Sequence, residues 1–195
     1  MASAVAPWRQ LLMESMEANK HLMHSKYFQL ATVKQNGAPT VRTIVFRGFE
    51  DGTNKLLITT DARSRKIEEI KNNPLGECVV YFSDTWEQFR ISGILHLIGP
   101  ESPPEFQKTR QKLWDASSPR SLLQLVGPYP GTPLTKESRE EAQQAYLDKQ
   151  GGPVENFFIV TLDPTEVDYL HLQQGRRVYY EKKDNQEWTE QELNP

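Results

Sequence analysis

Apolar and polar residues alternate over much of this chain with a period of two, which is typical of β-strands that bury one face. The Asn36-Gly37 pair lies between two such segments and predicts a tight β-hairpin. Residues 76–82 are instead almost continuously apolar, which predicts a strand buried on both faces. The predicted strands span residues 27–33, 39–48, 56–60, 76–82, 87–99, 156–162, 167–172, 177–182 and 187–193.

Other segments have apolar residues at helical spacing. Trp8, Leu12 and Met16 share one face of the first predicted helix, and Ile67 and Ile70 begin the apolar face of the second. Many antiparallel strands with short turns predict a mainly β fold with peripheral helices, of the barrel type. The predicted helices span residues 7–25, 64–72, 103–114, 122–126 and 137–150, and a rigid proline-rich loop spans 127–133.

Length and composition narrow the class of protein. A chain of 195 residues predicts one domain over 1–195, with a helical, proline-rich insertion at about 103–153. The net charge of −3 argues against a general nucleic-acid binder, and no apolar run approaches the roughly 20 residues of a membrane span. The single cysteine, Cys78, lies in an apolar run and is predicted to be a buried residue. A cytoplasmic protein is the resulting expectation.

Residues 40–66 contain the candidate chemistry. Ser64 is a good N-cap, but Arg65 and Lys66 then fall in the first helical turn, where the helix dipole disfavours cations. A bound anion would reverse that penalty, whereas side chains that simply reach into water would cost at most about 1 kcal/mol each. Arg42 and Arg47, on the strand predicted at 39–48, favour the anion site, and their odd spacing places them on opposite faces of that strand.

Signatures of protein-based catalysis are absent from the sequence. No nucleophile–base pair, glycine-rich phosphate loop or metal-ligand motif occurs, and His21 and His24 are expected at the surface. We therefore expect no catalytic side chain and no metal site. An anion site beside an apolar sheet suits a phosphorylated aromatic cofactor, which would supply its own chemistry.

Four segments carry a resemblance to a known family. They are RTIVFRGF at 42–49, ITTDARSRKIEEIKNNP at 58–74, EQFRISG at 87–93 and QEWTEQELNP at 186–195. On these segments the chain resembles the pyridoxine (pyridoxamine) 5′-phosphate oxidase family, and within it the pyridoxamine 5′-phosphate oxidase-related proteins of cyanobacteria and plants. The resemblance implies an FMN-binding split β-barrel, FMN as cofactor, and a homodimer with FMN at the interface.

The resemblance also implies roles for individual residues. Arg42 and Lys66, with Ser64 and Arg65, would hold the FMN phosphate, and Gln88 would hydrogen-bond the flavin ring. The backbone of 43–46 would line the isoalloxazine, and Arg47 would lie near the flavin and the substrate, although it could also be a solvated cation. The implied cofactor-binding residues are Arg42, Thr43, Ile44, Val45, Arg47, Thr59, Thr60, Ser64, Arg65, Lys66 and Gln88.

The chain departs from the family's pattern on the substrate side. Arg177 and Tyr179 match a substrate-binding Arg-x-His in which tyrosine replaces the histidine, while Glu181 and Glu105 stand where an arginine and a tyrosine are expected. The implied substrate residues are Arg47, Arg177 and Tyr179. Two main functions remain open: an FMN-dependent oxidoreductase with possible reoxidation by dioxygen, or a non-catalytic protein that binds FMN or a vitamin B6 phosphate. An interaction protein with a decayed site is a third.

Overall fold

The computed structural model describes residues 5–195 and contains eight strands within that range. The strands are β1 (Tyr27–Val33), β2 (Pro39–Phe49), β3 (Leu56–Asp61), β4 (Leu75–Phe82), β5 (Glu87–Ile98), β6 (Phe157–His171), β7 (Arg176–Lys182) and β8 (Trp188–Leu193). The helices are α1 (Pro7–Ala18), α2 (Arg65–Asn72), α3 (Pro104–Ala116), α4 (Pro119–Leu123) and α5 (Lys136–Gln144), with a 3₁₀ turn at Lys149–Gly151. No helix within 5–195 is long and apolar enough to span a membrane.

All eight strands belong to one sheet in the order β3-β2-β1-β4-β5-β6-β7-β8. Neighbouring strands for which the register is defined run antiparallel, and an additional pairing of β3 with β6 closes the first six strands into a barrel. The predicted hairpin joins β1 to β2, where Gly37 has a φ of +82° that glycine adopts without a Cβ penalty. The mainly β barrel predicted from the sequence is confirmed.

The chain divides into two compact units. The first comprises the chain up to Ile58, Glu69–His96 and Thr161–Pro195. In it, α1 buries Trp8 completely, with ring centroids 6.1 Å from Phe49 and 5.6 Å from Trp188. Full burial of such a side chain is worth about 3 kcal/mol or more of hydrophobic free energy, so α1 is firmly held within this unit. Cys78 is also completely buried, as predicted.

The second unit comprises Thr59–Glu68 and Leu97–Val160. Arg110 of α3 is buried here, and its guanidinium donates to the backbone carbonyls of Phe157 at 2.9 Å and Val154 at 2.5 Å. Burial lowers the pKa of Arg110, because the charged form loses contact with water. The indole Nε1 of Trp114 donates to the carbonyl of Lys149 at 2.8 Å. These bonds tie the irregular segment around residues 149–157 to α3.

Several predicted boundaries are wrong. The first helix ends at Ala18, where the Asn19 side-chain amide donates to the Ser15 carbonyl and competes for it with the helical bond from the Asn19 N–H. The last predicted helix ends at Gln144, because the ψ of Ala145 is 123°, outside the helical range. The predicted helix at 122–126 lies earlier in the chain, as α4. In β4, Leu75 and Tyr81 are exposed, so that strand is not buried on both faces.

The two strands predicted at 156–162 and 167–172 are one continuous strand, β6. Asp163-Pro164 lies between the two predicted strands, inside β6. Proline lacks an N–H donor, but its φ is compatible with an extended chain. A strand can therefore continue through a proline at a position where no interstrand hydrogen bond requires that N–H. The single-domain assignment with an insertion at 103–153 stays a prediction.

A buried tyrosine in the first unit makes stability depend on alkaline pH. The Tyr169 hydroxyl donates to Glu87 Oε1 at 2.7 Å, and burial, followed by this hydrogen bond, raises the pKa of Tyr169. The neutral phenol is therefore favoured in the folded state, so its contribution is complete below the unfolded pKa of about 10 and is lost as the pH rises further. We expect the free energy of unfolding to fall above about pH 10, by up to about 1.4 kcal/mol per pH unit for this group.

Denaturant titrations between pH 8 and pH 12 measure this effect. Tyr169→Phe should show a shallower alkaline fall than wild type, while Tyr146→Phe, at a position 82% exposed, serves as the matched control and should leave the slope unchanged. Burial also raises the pKa of Tyr179, to about 12, and that of Tyr180, so a residual fall is expected in the Tyr169 variant. Equal slopes in wild type and Tyr169→Phe would contradict the assignment.

Candidate functional site

The start of α2 groups a cation with two hydroxyls inside the second unit. Lys66 Nζ donates to Thr60 Oγ1 and to Ser64 Oγ, each at 2.9 Å, and the two hydroxyl oxygens lie 3.3 Å apart. A tight turn brings them together, because Ser64 donates through its N–H at 3.0 Å and its hydroxyl at 2.8 Å to the Asp61 carbonyl. An ammonium flanked by two hydroxyls is a donor set that suits a phosphate group.

The same turn is braced by an ion pair between Arg63 and Asp61 that the sequence pattern does not predict. Arg63 donates to both carboxylate oxygens of Asp61, with a closest distance of 2.7 Å, and to the carbonyls of Gly127 and Gln124. The hydrogen bond to Asp61 outweighs partial burial and raises the pKa of Arg63. Only the spacing of an acid and an arginine two residues apart hinted at this pair. It fixes the backbone from which Ser64 and Lys66 project.

Two details of the predicted helix start differ from expectation. The Ser64 hydroxyl donates backwards to Asp61, and the Ile67 N–H donates to the Ser64 backbone carbonyl. Ser64 thus lies at the predicted position, yet its hydroxyl braces the turn. Arg65, predicted beside the phosphate, has an exposed side chain, and Thr59 is half-buried at the end of β3.

Arg42 lies on β2 in the first unit and is half-buried. Its Nη1 donates to Thr32 Oγ1 at 2.6 Å and to the Leu30 carbonyl at 3.2 Å, and its Nη2 donates to Glu69 Oε2 at 2.6 Å. The Thr32 hydroxyl in turn donates to Glu69 Oε2 at 2.6 Å. Neither Thr32 nor Glu69 was singled out from the sequence, because their contact depends on the β1–β2 register and on the position of α2.

The remaining predicted cofactor residues of the first unit occupy β2 and β5. Thr43 and Arg47 are exposed, Val45 is half-buried and Ile44 is buried, as the alternation on β2 predicts. Gln88 is half-buried next to Glu87, whose carboxylate accepts the Ser15 hydroxyl at 2.8 Å as well as that of Tyr169. Glu87 therefore anchors the start of β5 to α1 and β6, one residue before Gln88.

The predicted substrate residues on β7 are engaged by acids on β6 of the same unit. Arg177 forms a bidentate pair with Asp168, with Nε at 3.0 Å from Oδ1 and Nη2 at 2.7 Å from Oδ2. This hydrogen bond raises the pKa of Arg177. Burial and a hydrogen bond to Glu166 raise the pKa of Tyr179 to about 12. Both side chains thus have acidic partners within the protein.

Comparison with known proteins identifies the family. Residues 5–99 match the family model described as "Pyridoxamine 5'-phosphate oxidase, FMN-binding domain". The chain is 46% identical over 200 residues to pyridoxine/pyridoxamine 5′-phosphate oxidase 2 of Arabidopsis thaliana, with both chains covered completely. The protein belongs to the pyridoxamine 5′-phosphate oxidase family. FMN, the cofactor expected from the sequence, is confirmed as that of the family.

Solved structures agree with this membership in the pyridoxamine 5′-phosphate oxidase family. A pyridoxamine 5′-phosphate oxidase-related, FMN-binding protein from Nostoc punctiforme is 40% identical, with a TM-score of 0.93 over 98% of this chain and 100% of its own. PhzG from Burkholderia lata, solved with tetrahydrophenazine-1-carboxylic acid, is 21% identical with a TM-score of 0.78 over the full length of both chains, which shows a shared fold. The split-barrel expectation is therefore confirmed.

Proposed function

We propose that this protein is an FMN-dependent oxidoreductase that removes a hydride equivalent from a small-molecule substrate. The observation that carries the proposal is the cluster of Lys66, Ser64 and Thr60, whose donors suit a phosphate, in a chain 46% identical to the Arabidopsis oxidase over its full length. When bound, FMN would supply the redox chemistry, including reoxidation by dioxygen. The chain's own residues would bind and orient the cofactor.

The proposed roles follow from the donors that each residue offers. Lys66, Ser64 and Thr60 bind the FMN phosphate by charge-assisted hydrogen bonds, which are stronger than those between neutral groups. Within the first unit, Arg42 offers a guanidinium to an oxyanion, and Gln88 offers an amide to the flavin ring. The backbone of 43–46 lines the ring. Thr59, Arg65 and Arg47 complete the proposed cofactor-binding set.

Pyridoxine or pyridoxamine 5′-phosphate is the first substrate to test, because the Arabidopsis relative bears the name of that oxidase. We expect the purified protein to show visible flavin absorbance, to release FMN on denaturation as identified by mass, and to form peroxide with one of these substrates. The panel of electron donors also includes reduced nicotinamides and amines other than pyridoxamine 5′-phosphate. A protein that stays colourless after incubation with FMN would overturn the proposal.

A non-catalytic role, binding FMN or a vitamin B6 phosphate, is the second candidate. The bidentate pair of Arg177 with Asp168 favours it, because an arginine already held by a carboxylate offers fewer donors to a substrate phosphate. The same assay separates the two: a yellow protein that turns over no donor in the panel supports the binding role. Turnover with any donor refutes it.

The proposal includes a homodimer in the cytoplasm. Apolar side chains are exposed on β2 and β4 of the first unit, with Val41 66%, Leu75 56% and Tyr81 44% exposed, and a second copy would cover such a surface. The lone, buried Cys78 suits a reducing compartment. Light scattering after size-exclusion chromatography tests the dimer.

A further inference from the structure

Glu69 is a buried carboxylate in the first unit, and it meets two donors at one oxygen. The residue is 8% exposed, and its Oε2 accepts from Arg42 Nη2 and from the Thr32 hydroxyl, both at 2.6 Å. Because Arg42 Nη1 also donates to Thr32 Oγ1, the three side chains form a closed ring of hydrogen bonds. A closed ring of this kind leaves Arg42 one orientation, since moving the guanidinium would break several bonds at once.

The ring uses only part of the guanidinium. An arginine has five N–H donors, and Thr32, Leu30 and Glu69 take three of them. Within residues 5–195, the hydrogen bonds of Arg42 leave Nε–H and the second Nη2–H to a ligand. The Arg42 side chain is 23% exposed, against 10% for that of Glu69. The buried side of Arg42 is thus occupied by the protein, and the exposed side can take an oxyanion.

We propose that Glu69 is a positioning residue for phosphate recognition, which holds the Arg42 guanidinium so that its two remaining N–H groups are presented to the phosphate of the flavin nucleotide. This inference rests on the proposed function, since it assumes that Arg42 binds the FMN phosphate. The length of the Glu69 side chain is what matters, because one carboxylate oxygen must contact Arg42 and Thr32 together. Its negative charge, by contrast, opposes the binding of an anion, so charge alone cannot account for its presence beside Arg42.

Two variants of Glu69 separate the effect of its side-chain length on FMN binding from the effect of its charge. Glu69→Asp keeps the charge but is one methylene shorter, so its oxygen cannot meet both partners. We expect FMN affinity to fall about tenfold in this variant. Glu69→Gln keeps the side-chain length and an acceptor oxygen but loses the charge, so FMN affinity should stay within about threefold of wild type. Riboflavin, which lacks the phosphate, should bind all variants with unchanged affinity.

Further variants guard against indirect effects. Glu68→Gln removes the same charge from the neighbouring, exposed position of α2 and should leave FMN affinity unchanged. Thr32→Val removes the hydroxyl that joins Glu69 to Arg42 with little change in volume, and should weaken FMN binding about threefold without affecting riboflavin. Flavin fluorescence titrations give both affinities, and circular dichroism confirms folding of each variant.

The outcomes are distinguishable. A selective loss of FMN affinity in Glu69→Asp and Thr32→Val, with Glu69→Gln retained, supports the positioning role. Full retention in Glu69→Asp, equal losses in Glu69→Asp and Glu69→Gln, or parallel losses for riboflavin and FMN would each overturn it. If the wild-type protein shows no preference for FMN over riboflavin, the proposed function itself fails, and this result is obtained before any variant is measured.

Discussion

Replacing Lys66 by methionine is expected to weaken FMN binding about 100-fold while riboflavin binding stays within about twofold of wild type. Methionine keeps the length and apolar stem of the side chain but removes the ammonium that donates to Thr60 and Ser64. A phosphate held there would lose a charge-assisted hydrogen bond and the nearest cation of the cluster. Riboflavin carries no phosphate and should therefore be insensitive to the change.

Isothermal titration with both ligands measures the effect of the Lys66 substitution. Lys71→Met is the matched control, because it removes the same charge from an exposed position in the last turn of the same helix. It should change FMN affinity by less than about twofold. If Lys66→Met lowers the affinities for riboflavin and FMN equally, or spares both, the phosphate does not bind at Lys66.

Substituting Gly93 by alanine is expected to destabilise the first unit by about 3 kcal/mol or more. A Cβ at this position would lie 2.1 Å from the Asp163 carbonyl oxygen and 2.9 Å from the Pro164 Cα. These atoms belong to the backbone of β6, so relief of the clash requires one strand to move relative to the other. A flexible side chain could swing aside at little cost, but the backbone of a hydrogen-bonded strand cannot.

Chemical denaturation of Gly93→Ala and wild type provides the measurement. Gly151→Ala is the control, because the nearest atom to its added Cβ lies 3.7 Å away, an ordinary contact distance. That variant should remain within about 0.5 kcal/mol of wild type. A Gly93→Ala protein as stable as wild type would show that β5 and β6 can separate without cost at this point.

Local sequence patterns predict much of the barrel, because strand alternation and turn residues are set by constraints that act between residues close in sequence. β1 has the predicted bounds, and the Asn36-Gly37 turn forms where the sequence places it. Alternation on β5 likewise puts Phe89 and Ile91 in the core. A strand that buries one face must alternate, and a tight hairpin needs a residue that accepts positive φ, so both leave a direct trace in the sequence.

Features that depend on contacts distant in sequence left no such trace. Leu75 and Tyr81 are exposed on β4. Exposure of a strand residue depends on which other elements pack against the strand, and an apolar run in the sequence does not encode that packing. The strands predicted at 156–162 and 167–172 form one strand, β6, because its pairing with β5, β7 and β3 is a tertiary feature that the local sequence does not encode.

The candidate site shows the same division. Lys66 and Ser64 were identifiable because their types and spacing suit a phosphate, and the structure brings them together with Thr60. Glu69 was not, because a glutamate on an amphipathic helix resembles any solvated charge until the fold turns it inward to Arg42. The acid partners of Arg177 and Tyr179 were missed for a similar reason: they are cross-strand neighbours of β6 and β7.

The burial of Cys78 gives the protein a built-in chemical reporter. This single thiol is fully enclosed, and burial raises its pKa to about 12, so almost no thiolate is present near neutral pH. A thiol reagent can therefore modify the chain only through openings that expose β4. Comparing the labelling rate with and without added FMN would report whether FMN changes the frequency of these openings. Because the Cys78 thiol is unreactive, the new thiol of a Met23→Cys variant, at a position 89% exposed, could be labelled selectively.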